Sequence, residues 1–173
     1  IVLGVYIGTI VLLNIPSVQQ VMSVFVAEEL SDLLNTRVTI GRINIGLLNR
    51  IIIDDVLLDD QDEQEMLKVT RLSAKFDIMP FFKGKISISS VQLFGFNINL
   101  QKKTPDSPPN FKFVLDAFAS NDTVKKDNSL DLRINSILIR RGRMAYHVLS
   151  EEETPGKFNA KHVQLQNIIA NIC

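Results

Sequence analysis

A single cysteine, Cys173 at the last position, is all the chain offers for thiol chemistry. One thiol forms no internal disulfide, so cysteine usage does not reveal the redox compartment, and a periplasmic setting stays open. An excess of either charge is also missing. The 19 Lys and Arg balance 19 Asp and Glu, which removes the simplest argument for nucleic acid or an anionic surface as partner. Histidine is scarce: His147 and His162 are the two in the chain. Neither has a cysteine or a second histidine at ligand spacing, so each is expected to be a separate surface histidine. No Gly-x-Ser-x-Gly, phosphate-cradling glycine loop or His-Glu-x-x-His occurs. The acidic run "DDQDEQE", Asp59 to Glu65, lacks the glycine and the terminal glutamate spacing of a calcium loop and is expected to be solvated. These absences predict a chain that is not an enzyme and holds no cofactor or metal.

What is present begins with an uncharged opening, "IVLGVYIGTIVLL". The chain does not start with Met, and a full membrane span needs about 20 apolar residues, so Ile1 to Leu13 is expected to be the trailing part of a transmembrane anchor, with Val5, Ile7, Ile10, Leu12 and Leu13 facing lipid. The apolar region of a secretory signal and a buried strand are the alternatives, but no small-x-small cleavage site follows in "NIPSVQQV". Residues 1–15 are thus assigned to the anchor. Pro16 suits the first turn of a helix, and no Gly or Pro follows before Gly41. Val18, Val21, Met22, Phe25, Val26, Leu30, Leu33 and Leu34 fall near helical spacing, with Gln19, Gln20, Glu28, Glu29 and Asp32 largely outside the stripe. Residues 16–36 are expected to form an amphipathic helix, lying at a membrane surface or covering a core.

From residue 37 the period changes to two. A pattern, apolar-x-apolar-x-x-apolar-x-apolar, occurs at Val38, Ile40, Ile43, Ile45; at Ile51, Ile53, Val56, Leu58; and at Ile86, Ile88, Val91, Leu93. It returns at Leu132, Ile134, Ile137, Ile139 and more weakly at Phe158, Ala160, Val163, Leu165. The spacing between copies is irregular, which excludes a solenoid of fixed period. Alternation keeps residues i and i+2 on one face, and two intervening residues would throw the next pair to the other face. A bulge or bend at the double step restores the face and adds curvature; repeated in successive strands, it bends the whole sheet into a trough. Separate hairpin strands of a compact sandwich, turning at the double steps, are the alternative.

Between the copies lie the Pro-rich "KKTPDSPPN" (Lys102 to Asn110), the acidic turn "SEEETPGK" (Ser150 to Lys157) and a short helical pattern, "FKFVLDAF", whose Phe111, Leu115 and Phe118 share one helical face. That helix is expected to cover the sheet margin. Arg140, Arg141 and Arg143 in "IRRGRM" form the densest basic patch, expected at a solvated strand edge where charge discourages edge pairing.

Val69 to Lys103 resembles the N-terminal region of the AsmA-like superfamily, most closely its TamB-type translocation and assembly module proteins. The residues that carry the likeness are Ile78, Pro80, Phe81, Phe82 and Gly84 in "DIMPFFKGKI", then Ile88, Val91, Leu93 and Gly95 in "ISSVQLFG", then Ile98 and Leu100 in "INL". Upstream, the hydrophobic opening and the helix ending in "LSDLLNTRVTIGRINI" are similar as well. The resemblance implies an inner-membrane anchor and a periplasmic body of curved, open β-sheet in a Gram-negative envelope, paired with an outer-membrane barrel of the Omp85 class. It further implies movement of phospholipid between membranes, or assembly of outer-membrane proteins and autotransporters.

Residues and resemblance together predict a mainly β chain: an N-terminal transmembrane and amphipathic helix, then a curved, open β-sheet trough with a short covering helix, residues 37–173 forming the groove as the membrane-proximal part of a longer body. Ile40, Ile43, Ile53, Val56, Ile86, Ile88, Val91, Leu93, Ile134, Ile137, Ile139, Val163 and Leu165 would line it. The expected cargo is phospholipid. A scaffold that templates an outer-membrane strand along an exposed sheet edge is the competing expectation.

Overall fold

The computed structural model describes residues 2–46, 49–76, 86–121, 130–131 and 135–172. Two helices, α1 (Val2–Leu13) and α2 (Pro16–Leu34), precede strands β1 (Val38–Gly46), β2 (Arg50–Asp59), β3 (Glu65–Phe76) and β4 (Ile86–Lys102). Helix α3 (Lys112–Asn121) and the two-residue β5 (Leu130–Asp131) lie before β6 (Ser136–Val148) and β7 (His162–Ile172). The chain is mainly β, on a single open sheet in the order β1-β2-β3-β4-β6-β7, with β5 pairing with β4 off that path. β1 to β4 form an antiparallel meander. β6 then adds parallel to β4, which requires the long crossover that carries α3, and β7 returns antiparallel. The described residues form one sheet and not the two of a sandwich.

Helix α1 has 12 residues, about 18 Å against a hydrocarbon core of about 30 Å. No helix among the described residues is long and apolar enough to cross a membrane, so the expected anchor has no membrane-crossing helix in this structure. Val5 and Leu12 of α1 are exposed and Leu13 is half-buried; Ile7 and Ile10 lie in the same helix.

Helix α2 begins at Pro16, whose fixed φ and missing N–H suit a first turn, and ends at Asn35 in the left-handed region, where the Thr36 amide donates back to the Ser31 carbonyl. It runs antiparallel along β1, which among the described residues pairs only with β2 and forms an edge of the sheet. Its 19 residues and the nine of β1 both reach about 29 Å. The buried side of α2 differs from the apolar stripe read in the sequence. Leu30 and Leu34 enter the core with Val38, Leu58 and Met66, but Val21 and Phe25 are exposed and Gln19 and Ser23 are buried. The reason is what the helix covers. An edge strand presents unpaired N–H and C=O groups, and polar side chains satisfy them: the Val38 amide donates to Ser31 Oγ at 3.0 Å, and Asn14 Nδ2 donates to the Ile45 carbonyl at 2.8 Å. Gln19 Nε2 donates to Asn44 Oδ1 at 2.6 Å.

Asp60 pins the far end of the sheet. It is 1% exposed, unlike the solvated loop expected for this acidic run. Its Oδ1 accepts from the amides of Asp62 and Gln64, and its Oδ2 from Gln101 Nε2 and Asn110 Nδ2, each at about 3 Å. Four donors on one carboxylate join the β2–β3 turn to β4 and to the Pro-rich excursion. Beside it α3 packs Phe113, Val114 and Ala117 onto the core, with Phe111 just before the helix, leaving Leu115 exposed. The covering face of α3 is therefore turned away from the Leu115 side.

The double step is a structural feature of every long strand. Pairing is continuous on either side of Gly41 in β1, Asp55 in β2, Thr70 in β3 and Gly95 in β4, and is skipped at those residues. β6 and β7 break register near Arg141 and Asn167. Asp55, Gly95, Arg141 and Asn167 are all left-handed, with φ of 55, 63, 55 and 55°. An extra residue in one strand alone would shift its register. Here each neighbour carries the step at the same level, so Val38↔Leu58 and Ile45↔Ile51 belong to one ladder. Facing residues crowd along this line, and one of each close pair is glycine: a Cβ on Gly41 would lie 3.0 Å from Asp55 Cβ, and one on Gly95 would lie 2.8 Å from Thr70 Oγ1.

Two stability measurements check this account. Burial raises the Asp60 pKa, but the bonds from Asn110, Gln64, Gln101 and Asp62 outweigh it and hold the carboxyl below its ordinary 3.8. A depressed carboxyl stabilises the fold above that value and loses the contribution as pH falls below it. Asp60→Ala is therefore expected to cost about 3 kcal/mol near pH 7, with the gap to the native chain narrowing below pH 3.8 in denaturant titrations. Gly95→Ala is expected to cost about 2 kcal/mol from its left-handed backbone and the Thr70 contact. Asp55→Gly is expected to cost nothing, because it removes a side chain from the same conformation.

Candidate functional site: an uncovered apolar sheet face

Directly opposed residues on neighbouring strands share a face, so the register lists what lies together. One row reads Val38, Leu58, Leu67, Ile98, Met144, Leu165. Beyond the step, a row reads Ile43, Ile53, Leu72, Leu93, Ile139, Ala170, and the next Ile45, Ile51, Ala74, Val91, Ile137, Ile172. Next to the step stand Ile40, Val56, Val69, Phe96, then Gly142 opposite Ile168. Glycine replaces a side chain there because the Phe96 ring occupies the space: a Cβ on Gly142 would fall 2.1 Å from Phe96 Cζ. The step residues themselves are mostly exposed, among them Gly41, Arg42, Asp55, Thr70, Arg71, Phe94, Arg140 and Arg141. An exposed step between two apolar pairs lets a strand keep both pairs on one face.

Helical cover reaches only part of this face. Among the described residues α1 and α2 approach the sheet at β1 alone, and α3 joins the core at the Val38–Leu58–Met66 end. Most of the remaining apolar side chains are half-buried. Val69 and Phe96 are buried although neither belongs to the helix-packed cluster, so neighbouring side chains of the same sheet crowd over them.

The predicted groove residues fall on this surface as follows. Ile40, Ile43, Ile53, Val56, Val91, Leu93, Ile137, Ile139 and Leu165 occupy the rows above. Val163 opposes Tyr146, which pairs with Leu100 at the sheet's end. Ile88 faces Phe76 past a register shift at Ser89, the double step read in that copy. Ile86 opens β4 opposite Leu130, and Ile134 lies outside the described residues. Sequence reasoning missed Leu67, Val69, Leu72, Phe96, Ile98 and Met144, which fill the same rows; the β3 copy, Leu67, Val69, Leu72, Ala74, follows the pattern already in hand.

The opposite face is mixed: Ile52, Leu57 and Leu138 lie on it among polar and basic side chains. Arg42, Asp54, Arg71, Phe94 and Arg140 form one cross-strand row, in which Arg71 Nε meets Asp54 Oδ1 at 2.6 Å. Arg140, Arg141 and Arg143 do not guard a sheet edge as expected: β6 is flanked by β4 and β7, and Arg141 stacks over the Phe94 ring at 5.1 Å. A concavity of about 540 Å³ beside the step is lined by Thr70, Arg71, Gln92, Leu93, Phe94, Leu138 and Arg140. The two histidines are not separate either. They are directly opposed on β6 and β7, ring to ring, a juxtaposition hidden in the sequence because it depends on how the intervening loop closes.

No protein-family model matches the chain, and neither a curated protein nor a solved structure is similar to it.

Proposed function

We propose that the chain is a lipid-binding, groove-forming segment of TamB or AsmA type, which moves phospholipid by shielding acyl chains from water along the apolar sheet face. The observation that carries this reading is the continuity of apolar rows across the sheet without full helical cover. Because the steps of neighbouring strands lie on one line, the bends add, and they curve the sheet into a trough whose long axis runs across the strands. Six strands at about 4.8 Å spacing give rows about 24 Å long, and each methylene shielded there contributes about 0.8 kcal/mol. Headgroups stay in water along the open side. Such transfer forms and breaks no covalent bond, so it needs no catalytic residue. In this reading α1, with Val5, Val11 and Leu12 exposed, and the exposed Val21, Val24 and Phe25 of α2 face a bilayer. The inner membrane is the proposed location and an Omp85-class barrel the proposed distal partner.

A second reading, a scaffold for outer-membrane protein assembly, is favoured by β7. It pairs only with β6, and Leu165, Ile169 and Ile172 on it are exposed, so its outer edge can accept a further strand from this protein or from a client.

Native mass spectrometry after gentle purification with phospholipid separates the two. The transport reading expects phospholipid adducts on the native chain and at least a tenfold loss in Leu93→Asp/Ile139→Asp with circular dichroism unchanged. A folded native chain without adducts, or a variant that keeps them, overturns it in favour of the scaffold.

A further inference from the structure

The β6–β7 connection carries chemistry that the apolar face does not use. His147 and His162 are opposed across the two strands, with Nδ1 to Nδ1 at 3.0 Å. Glu153, from the loop that joins these strands, brings Oε1 to 3.8 Å from His147 Nδ1 and 4.0 Å from His162 Nδ1. The loop is braced to hold it there. The Lys157 amide donates to the Thr154 carbonyl through a tight turn with Gly156 at φ 79°, and Asn159 Nδ2 donates to the Glu152 carbonyl.

We propose that His147, His162 and Glu153 form a binding site for a first-row divalent cation of the zinc class. Three atoms separated by 3.0, 3.8 and 4.0 Å have an equidistant point about 2.1 Å from each, the ordinary zinc–nitrogen and zinc–oxygen bond length. The donor set, two imidazoles and a carboxylate, is one that zinc takes with its fourth position open. The three side chains line a cavity of about 370 Å³ together with Thr154, Pro155, Gly156, Lys157 and Asn159, which leaves room for a further ligand.

The second independent observation is the tautomer. His162 Nε2 lies 2.9 Å from the Glu151 carbonyl, an oxygen that only accepts, so Nε2 carries the proton. In the neutral ring Nδ1 then keeps its lone pair, aimed at the ligand position. A ligating histidine held by an N–H to a backbone carbonyl is the usual outer support of a metal site. Lys161 fixes the residue that supplies that carbonyl, meeting Glu151 Oε1 at 2.6 Å. The His162 side chain is 10% exposed and His147 27%, so the pair is shielded while Glu153 closes over it from solvent. Without an ion, His147 Nδ1–H donates to the His162 Nδ1 lone pair across the 3.0 Å contact; on ion binding that single proton moves to His147 Nε2, freeing both Nδ1 lone pairs for the ion.

The test is a zinc competition titration against a chromophoric chelator on the full chain without a histidine tag, followed by cobalt substitution. One zinc per chain is expected, with affinity falling about 30-fold or more in His162→Ala and in His147→Ala, and about tenfold in Glu153→Gln. Glu153 is exposed on its loop, so Glu153→Gln is expected to melt like the native chain without metal and to lose most of the upward melting shift that zinc confers. Cobalt is expected to give the intense visible bands of four-coordination. Zinc binding unchanged by His162→Ala and Glu153→Gln, no zinc binding at all, or weak six-coordinate cobalt bands would each overturn the site.

Discussion

A strand that keeps one face apolar across a break in strict alternation needs an extra residue at the break, and the rest of this structure follows from meeting that need in every long strand at one level. Strict alternation through the break would send Ile43, Ile53 and Leu72 to the opposite side. In β2, β4, β6 and β7 a left-handed residue, Asp55, Gly95, Arg141 or Asn167, turns the chain over by one place, and in β1 and β3 the extra residue at Gly41 and Thr70 lies directly opposite Asp55 on the same line. Because adjacent strands take the step together, the ladders keep their register. Glycine at 41, 95 and 142 then answers local crowding, from Asp55, Thr70 and the Phe96 ring in turn.

An open sheet with an oily face has two liabilities, its edges and that face. The chain manages the β1 edge with a helix that turns polar groups toward it, which is why Gln19 and Ser31 lie inward while Val21 and Phe25 look out. The face is managed only at one end, where α3 and the Asp60 knot close the core. Among the described residues no helix covers the rest of the face, and the proposal that an acyl chain lies there rests on that contrast.

Much of this was legible in period-two spacing. The copies at Val38–Ile45 and Ile51–Leu58 place the step where the structure has it, because both flank it with large aliphatics and polar step residues. In β4 the step on the common line is Phe94–Gly95, between Val91, Leu93 and Phe96, Ile98. An aromatic in the step disguises it, so the copy read at Ile86–Leu93 marks a different irregularity, at Ser89. In β6 the true frame runs Ile137, Ile139, Gly142, Met144, hidden by a glycine standing in an apolar place. In β7 it runs Val163, Leu165, Ile168, Ala170, five residues beyond the weaker frame. What no local pattern carries is long-range closure: the His147–His162 pair, the interior position of Arg140 to Arg143, and the gathering of Gln101 and Asn110 onto Asp60.

The central claim is that one face of this sheet, and not the other, meets hydrocarbon. A photo-reactive phenylalanine analogue placed singly at Ile53, Leu93 or Ile139, and for comparison at Ser73, Gln92 or Asn97 on the opposite face, tests it in cells making the chain. The account predicts phospholipid adducts from the first three positions and none above background from the second three. Adducts of equal yield from both faces, or protein adducts alone from the apolar positions, would contradict it.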